Sequence, residues 1–476
     1  MDRILRQIRQ PLGLFYLSSA IIIAVNVLLI INQLYWLAWM LPVLLLVAFF
    51  FIFSLDNVLF FIVFATPLAL NLEDLFPGLS VSFPTEPLLA ALLLVFIFKI
   101  IIGQVPDRKI FSHPVVIVAL IYLLWMLITS ITSQFPIVSF KYFIARLWFV
   151  VPLLFMGTAL FKDLRKIHLF YLLYIVAFCI VIINTTYNHA GYNFSEKGAN
   201  WAMSPFYNDH TAYAVMLAFF IPVLAGFSLS KIYSLKLRVV SFAVLGLFAM
   251  ALILSYCRAA WFSLGVSFLV MLPIILKIRL RWILLGLVMV IGFYYIYQQQ
   301  IIDRLEKNKQ DSSANYTEHI ESMLNVSSDA SNLERINRWK CALRLFNEHP
   351  NLGWGPGTYQ FAYGPYQLSR EKTIISTNEG NKGNAHSEYL GPLSESGWPG
   401  LLSVLMLFSA IIFTGNRVYQ KAVKPEVRIL SLSTLLGFIS YFAHGMMNNF
   451  LDTDKASVPF WGFAAIIVAL DLYHKK

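Results

Sequence analysis

Residues 114–132 read PVVIVALIYLLWMLITSIT, 19 positions without a charged side chain. At 1.5 Å per residue, a helix of about 20 residues crosses a hydrocarbon core of roughly 30 Å, whereas a transmembrane strand needs only about ten alternating residues. The run therefore reads as a membrane-crossing helix. Comparable runs stand near 12–32, 34–54, 57–72, 87–103, 141–161 and 167–187. They recur near 209–230, 237–256, 260–277, 279–298, 398–415, 428–448 and 458–473. The count is 14; because 57–72 and 458–473 are short, 12 is the alternative. The expected fold is an all-α polytopic membrane protein of 12 to 14 transmembrane helices.

The whole composition agrees with that stretch. Of 476 residues, 58% are hydrophobic and 13% charged, with a mean hydropathy of +0.69, which leaves too little charge for a soluble surface. Barrels, secreted disulfide scaffolds and disordered chains are excluded. Cys179, Cys257 and Cys341 are too few and scattered for a zinc site or a disulfide framework. The first apolar run follows a basic stretch but lacks a small-residue cleavage site, so it reads as a retained anchor. No short-period repeat and no inverted duplication is visible.

Net charge is +11, and its distribution matters more than its size. Arg3, Arg6 and Arg9, then Lys99, Arg108 and Lys109, Lys162, Arg165 and Lys166, and the later clusters at 231–238, 277–281, 417–428 and 475–476 all fall on one side of the expected spans. Together they make 21 of the 36 basic residues. The short connections on the other side hold only Lys141, Arg146, Lys197, Arg258 and Lys455. The positive-inside rule puts both termini in the cytoplasm, and no nucleic-acid partner is needed to explain the charge.

One connection differs from the rest. Residues 1–298 form an N-terminal transmembrane bundle, 299–397 a large outer loop, and 398–476 the C-terminal spans. Residues 303–332 of the loop are polar and poor in aromatics, a composition that predicts mobility. Residues 333–361, LERINRWKCALRLFNEHPNLGWGPGTYQF, then carry Ile336, Trp339, Leu343 and Phe346 at helical spacing. An amphipathic helix follows, capped by Ser331 or Asn332, ended at His349 by Pro350, and lying at the membrane surface or over a cavity. A glycine-rich turn comes next.

Ionisable groups beside apolar spans are costly and need partners, so those on the outer face are the candidates for chemistry. Arg258, in SYCRAAWFSLG, sits between two spans with almost no loop; a guanidinium there suits a phosphate, and equally suits snorkelling to lipid headgroups. Arg335 begins the loop helix with Arg338 and Lys340 nearby and Glu334 as a local partner. His386 lies in NAHSEYLGPLSESGWPGLL, where glycines 391, 397 and 400 and prolines 392 and 399 predict a short helix, a turn and a span. Its imidazole can accept a hydroxyl proton near neutral pH. Glu388 and Glu395 flank it without a metal motif. Asp209 and His210, in FYNDHTAYA, open a span, with Asn208 or Asp209 as its cap. Arg146 and His444 are lesser candidates, and His168, His189, His319, His349 and His474 read as structural or solvent-exposed.

Taken in order, FYNDHTAYA, SYCRAAW, ERINRWKCALRLFNEHPNLGWGPGTYQF and AHSEYLGPLSESGWPGLL resemble the O-antigen ligase and Wzy-type polymerase superfamily of bacterial inner-membrane glycosyltransferases. The resemblance spans roughly residues 200–415. It implies a GT-C-like fold and a metal-independent, cofactor-free enzyme on the periplasmic face of the inner membrane. Such an enzyme takes a glycan from an undecaprenyl-pyrophosphate carrier and passes it to an acceptor hydroxyl on a glycan, a lipid-A core or a protein. By motif, Arg258 and Arg335 would bind the pyrophosphate, Arg146 would be a further donor-site arginine, and His386 would activate the acceptor. Arg338, His210, Asp209 and Glu388 are secondary candidates for acceptor binding or support. Arg335 is preferred to Arg338 because it stands four residues before Trp339, in the family's R-x-x-x-W pattern. Cys257 stands where serine is usual and Ser387 where asparagine is usual. A ligase, a repeat-unit polymerase and a lipid-linked sugar flippase remain open; the gathering of polar groups on one face favours the enzyme over the flippase.

Overall fold

The computed structural model describes residues 19–33, 54–74, 80–278, 281, 285, 289, 330–373, 376 and 383–475. The spans expected at 34–54 and 279–298 fall almost wholly outside these residues, as do the start of 12–32, the polar stretch 303–329 and His319. The described chain divides into two units, residues 1–61 and 62–476. In the first, helix α1 (Ser19–Ile31) falls within the expected first span. Helix α2 (Leu55–Ala65) runs from the first unit into the second and ends in a 3-10 turn.

The second unit is helical apart from an antiparallel pair of two-residue strands, Leu70–Asn71 with Ser82–Phe83. After α3 (Thr85–Ile101) come α4 (Pro114–Ile131), α5 (Pro136–Leu160), α6 (Leu164–Gly191), α7 (His210–Leu229), α8 (Leu235–Leu254) and α9 (Arg258–Ile275). The loop helix α10 (Ala330–Glu348) precedes α11 (Leu390–Lys421), α12 (Pro425–His444) and α13 (Asp454–His474). Among the described residues, nine of these helices are long and apolar enough to cross a membrane, so the chain is an all-α, multi-pass membrane protein. Local chemistry sets their starts. Proline occupies the first turn of α4, α5 and α12, where its missing N–H costs nothing. Asp163, Asp209 and Ser234 cap α6, α7 and α8 with side-chain oxygens.

The centre of the bundle is α7, α12 and α13; 83% of the α13 span is buried, against 22% for α8. Lipid is as apolar as a leucine side chain, so these helices are held by close packing and interhelical hydrogen bonds. Gly437 permits the α7 contact: a side-chain carbon there would lie 2.6 Å from the Phe219 carbonyl oxygen. The Phe219 and Phe463 rings pack at 4.3 Å, and Ser267 of α9 donates to the Leu436 carbonyl at 2.6 Å.

The outer loop departs from expectation in two respects. Helix α10 begins at Ala330, so its start lies before Ser331 and Asn332, the positions expected to precede it. Its buried face is Glu334, Asn337, Arg338, Cys341, Ala342 and Leu345, while Leu343 of the expected apolar stripe is 45% exposed. The cause is the later part of the same loop: Tyr359, Tyr363 and Ala385 fold onto the polar side and form a small core with Cys341, Ala342 and Leu345. The helix ends at Glu348, before Pro350, as expected.

The glycine-rich turn fastens this loop to the helix ends. Ser133 Oγ and the Gln134 N–H both donate to the Trp354 carbonyl at 3.1 Å, and the Gly355 N–H donates to the Glu395 carbonyl at 2.7 Å. Gly355 has φ +112°, and a side-chain carbon there would fall 1.9 Å from Ser133 Oγ. Helix α11 is broken at Gly397 (φ +68°), which separates a short leading helix from the long span as the glycine and proline spacing predicts.

Candidate functional site

The site is built around a strap, residues 383–389, that leads from the loop into α11. Gly383 allows it to pass α10, since a side-chain carbon there would lie 2.2 Å from Arg338 Nη1. Arg338 Nη1 donates to the Asn384 carbonyl at 3.2 Å, Asn384 Oδ1 accepts from the His386 N–H at 3.1 Å, and Trp339 Nε1 donates to the His386 carbonyl at 3.3 Å. Ser387 Oγ accepts from the Tyr389 and Leu390 N–H groups at 3.3 Å each and so caps the start of α11. His386 has φ +48°, a left-handed conformation that is uncommon for a histidine and survives only where its surroundings impose it.

His386 lies within electrostatic reach of Arg338, Arg335, Asp209 and Glu334. Burial, reinforced by the positive charge of Arg338 and Arg335, pushes its imidazole down from the ordinary 6.5 to about 4. It is therefore neutral at physiological pH and able to take a proton. Asp209 caps α7 through the Thr211 N–H at 2.9 Å, and His210 Nδ1 stands 3.3 Å from its Oδ1. His210 is also within reach of Arg335 and Glu196. Arg258 sits at the first position of α9, with Nη2 3.7 Å from Glu196 Oε1. The tight turn before it is made by Tyr256, at φ +51°, whose hydroxyl donates to the Phe194 carbonyl at 3.0 Å. His386, Arg335, Arg338, Asp209, His210 and Arg258 thus belong to one linked group at the helix ends, and His444 joins it through Arg335 and Asp209.

Within that group the two loop arginines differ. Arg338 is 9% exposed and bound to Glu334 through Nε at 2.9 Å, while Ser376 and Thr373 also donate to that carboxylate. Burial would raise the Glu334 carboxyl, but these hydrogen bonds outweigh it and hold the group below its ordinary value. Glu334, expected as a partner for Arg335, has its carboxylate engaged by Arg338. Arg335 is only partly buried.

Arg146 and Glu388 belong to a second set. Arg146 donates through Nη1 to the Leu451 carbonyl and through Nη2 to Tyr142 Oη at 2.6 Å. Glu388 Oε1 accepts from Tyr441 Oη at 2.6 Å and from the Phe450 and Leu451 N–H groups at 2.8 and 3.0 Å, tying the strap to the α12–α13 connection. With Glu395 and Asp452 they line a cavity of about 430 Å³ whose wall includes Ser387 and Glu388 but not His386. Asp452 keeps accessible surface where it lines this cavity; burial of its carboxyl and then the Glu388 charge push it up to about 6.

Asp452, Asn449 and Trp461 were not among the expected site residues. Asp452 met the criterion that singled out Arg258, an ionisable group beside apolar spans, but the short NNFLDTDK connection reads as an ordinary polar turn.

Residues 243–405, about a third of the chain, match a family described as O-antigen ligase. The matched segment contains Arg258, Arg335, Arg338, His386 and Glu388, and stops short of Arg146, Asp209, His210 and Asp452 on either side. No curated protein matches the chain.

Proposed function

We propose, from the premise that residues 243–405 form a domain of the O-antigen ligase and Wzy-type superfamily, that this protein is a ligase-type glycosyltransferase on the periplasmic face of the bacterial inner membrane. It moves a glycan from an undecaprenyl-pyrophosphate carrier to an acceptor hydroxyl. The observation that carries the reading is the neutral imidazole of His386, held in a left-handed backbone beside Arg335, Arg338 and Asp209.

The chemistry follows from that arrangement. The acceptor oxygen forms a bond to the anomeric carbon as the bond from that carbon to the pyrophosphate oxygen breaks. The hydroxyl proton passes to the imidazole of His386, and the carrier leaves as its pyrophosphate. Pyrophosphate is a good leaving group and needs charge neutralisation more than protonation; Arg258 and Arg335 supply it in a site partly shielded from water. Arg338 is committed to Glu334 and to the strap, so its role is to position His386. Direct in-line attack predicts inversion at the anomeric carbon.

Carrier turnover in cells tests the reading. In His386→Ala, carrier-linked glycan should accumulate undischarged, with transfer reduced by about 10²–10⁴-fold. Normal discharge in His386→Ala, Arg258→Ala and Arg335→Ala together would rule out this site, and loss of lipid-linked glycan movement across the membrane when the protein is absent would point to a flippase.

A further inference from the structure

The cavity beside the strap has neither His386 nor Arg258, Arg335 or Arg338 on its wall, and that wall is chemically specific. Its volume, about 430 Å³, is within the roughly 300–1,000 Å³ of small-molecule sites. Trp461 lines it while wholly buried, and its indole Nε1–H has no hydrogen-bond partner. Asn449, also on the wall, has a buried Oδ1 that is likewise unpartnered. Buried donors and acceptors are rarely left unpaired, because each then bears its full desolvation cost. One orphaned donor and one orphaned acceptor on a single cavity wall call for a ligand that carries both kinds of group. Arg146 adds donors, and Glu388, Glu395 and Asp452 add acceptors. Tyr122 and Trp125 also line it.

We propose that this cavity is a glycosyl subsite that takes a neutral or amino-bearing sugar ring and rejects an acidic sugar. Vicinal hydroxyls can donate to the carboxylates and to Asn449 while accepting from Trp461 and Arg146. Three carboxyl groups share one guanidinium, so even with Asp452 partly protonated a uronate finds no unshared cation to pair with. Asp452, with its raised carboxyl, is partly protonated near pH 6 and can both donate to and accept from a hydroxyl. The role of the subsite rests on the transferase reading. Because His386 is not on the cavity wall, the ring held here is a non-reacting residue of the donor or acceptor glycan, whose binding orients the reacting one. The subsite thereby sets which glycans are transferred.

The test is sugar binding to the full-length protein in lipid nanodiscs by saturation-transfer NMR, with a panel of neutral hexoses, hexosamines and hexuronates as probes. At least one neutral or amino sugar should bind and the hexuronates should not. Trp461→Phe, which removes only the indole donor, should weaken binding by about three- to tenfold, and Asn449→Leu, on the α12–α13 connection, should do the same independently. Binding should survive in Arg335→Ala and His386→Ala, so this outcome stands or falls separately from the transferase assignment. Failure of every probe to bind, equal binding of a hexuronate, or undiminished binding in both Trp461→Phe and Asn449→Leu overturns the proposal. In turnover assays a raised KM for the carrier-linked donor assigns the ring to the donor, and a raised KM for the acceptor assigns it to the acceptor. No change in either overturns the subsite.

Discussion

His386 is neutral because burial and two guanidinium groups disfavour its charged form, and this makes its pH behaviour specific. With the imidazole pushed down to about 4, donor-free enzyme should keep a competent base well below the ordinary 6.5. The pH profile of kcat/KM should therefore be flat on its acid side until roughly pH 5, and an acid limb centred near 6.5 would contradict the assignment. Stability follows the same linkage. Between about 4 and 6.5 the unfolded chain binds the proton that the folded site refuses, so stability should fall as pH drops through that window. His386→Ala should flatten that part of a Tm-against-pH curve. Arg335 and Arg338 separate by another measurement. Arg338→Ala leaves the Glu334 carboxylate without its charged partner and frees the strap, and should cost about 2–3 kcal/mol of stability along with activity. Arg335→Ala should lower activity by about 10²-fold and, because its side chain is less buried than that of Arg338, should cost less stability than Arg338→Ala.

Helix α10 carries a lesson about patterns. Its apolar stripe is legible in the residue order, and its end at Pro350 follows from backbone sterics. Which face it buries is not legible, because the core under Cys341, Ala342 and Leu345 is completed by Tyr359, Tyr363 and Ala385 from beyond the glycine turn. That turn is the fastening element. In Gly355→Ala the positive φ and the contact with Ser133 Oγ both become strain, of order 1–3 kcal/mol from the backbone alone. The expected outcome is faster limited proteolysis across residues 349–373 and loss of transfer, with the transmembrane helices still intact by circular dichroism. Wild-type protease resistance in this variant would mean that the turn is not what holds the loop.

Across the molecule, the candidate residues stand at the starts of α7, α9 and α11 and beside the α12–α13 connection, which is the end of the bundle opposite the basic clusters. On the proposed topology the positive-inside rule expects the site outside the cytoplasm. Cysteine labelling checks this: in intact cells Lys372→Cys should react with a membrane-impermeant maleimide and Lys475→Cys should not, and the reverse pattern would invert the topology. Residue order alone was enough for the nine long apolar helices of the described residues, for the Asp209 cap of α7 and for this charge asymmetry, because transfer to lipid, N-capping and loop charge are local properties that sum along the chain. Folding in three dimensions was required to part His386 from Glu388, two residues away, into separate groups, and to bring Arg146 to Leu451 across 305 positions. Both depend on how the ends of distant helices pack together, and no local period or composition encodes that.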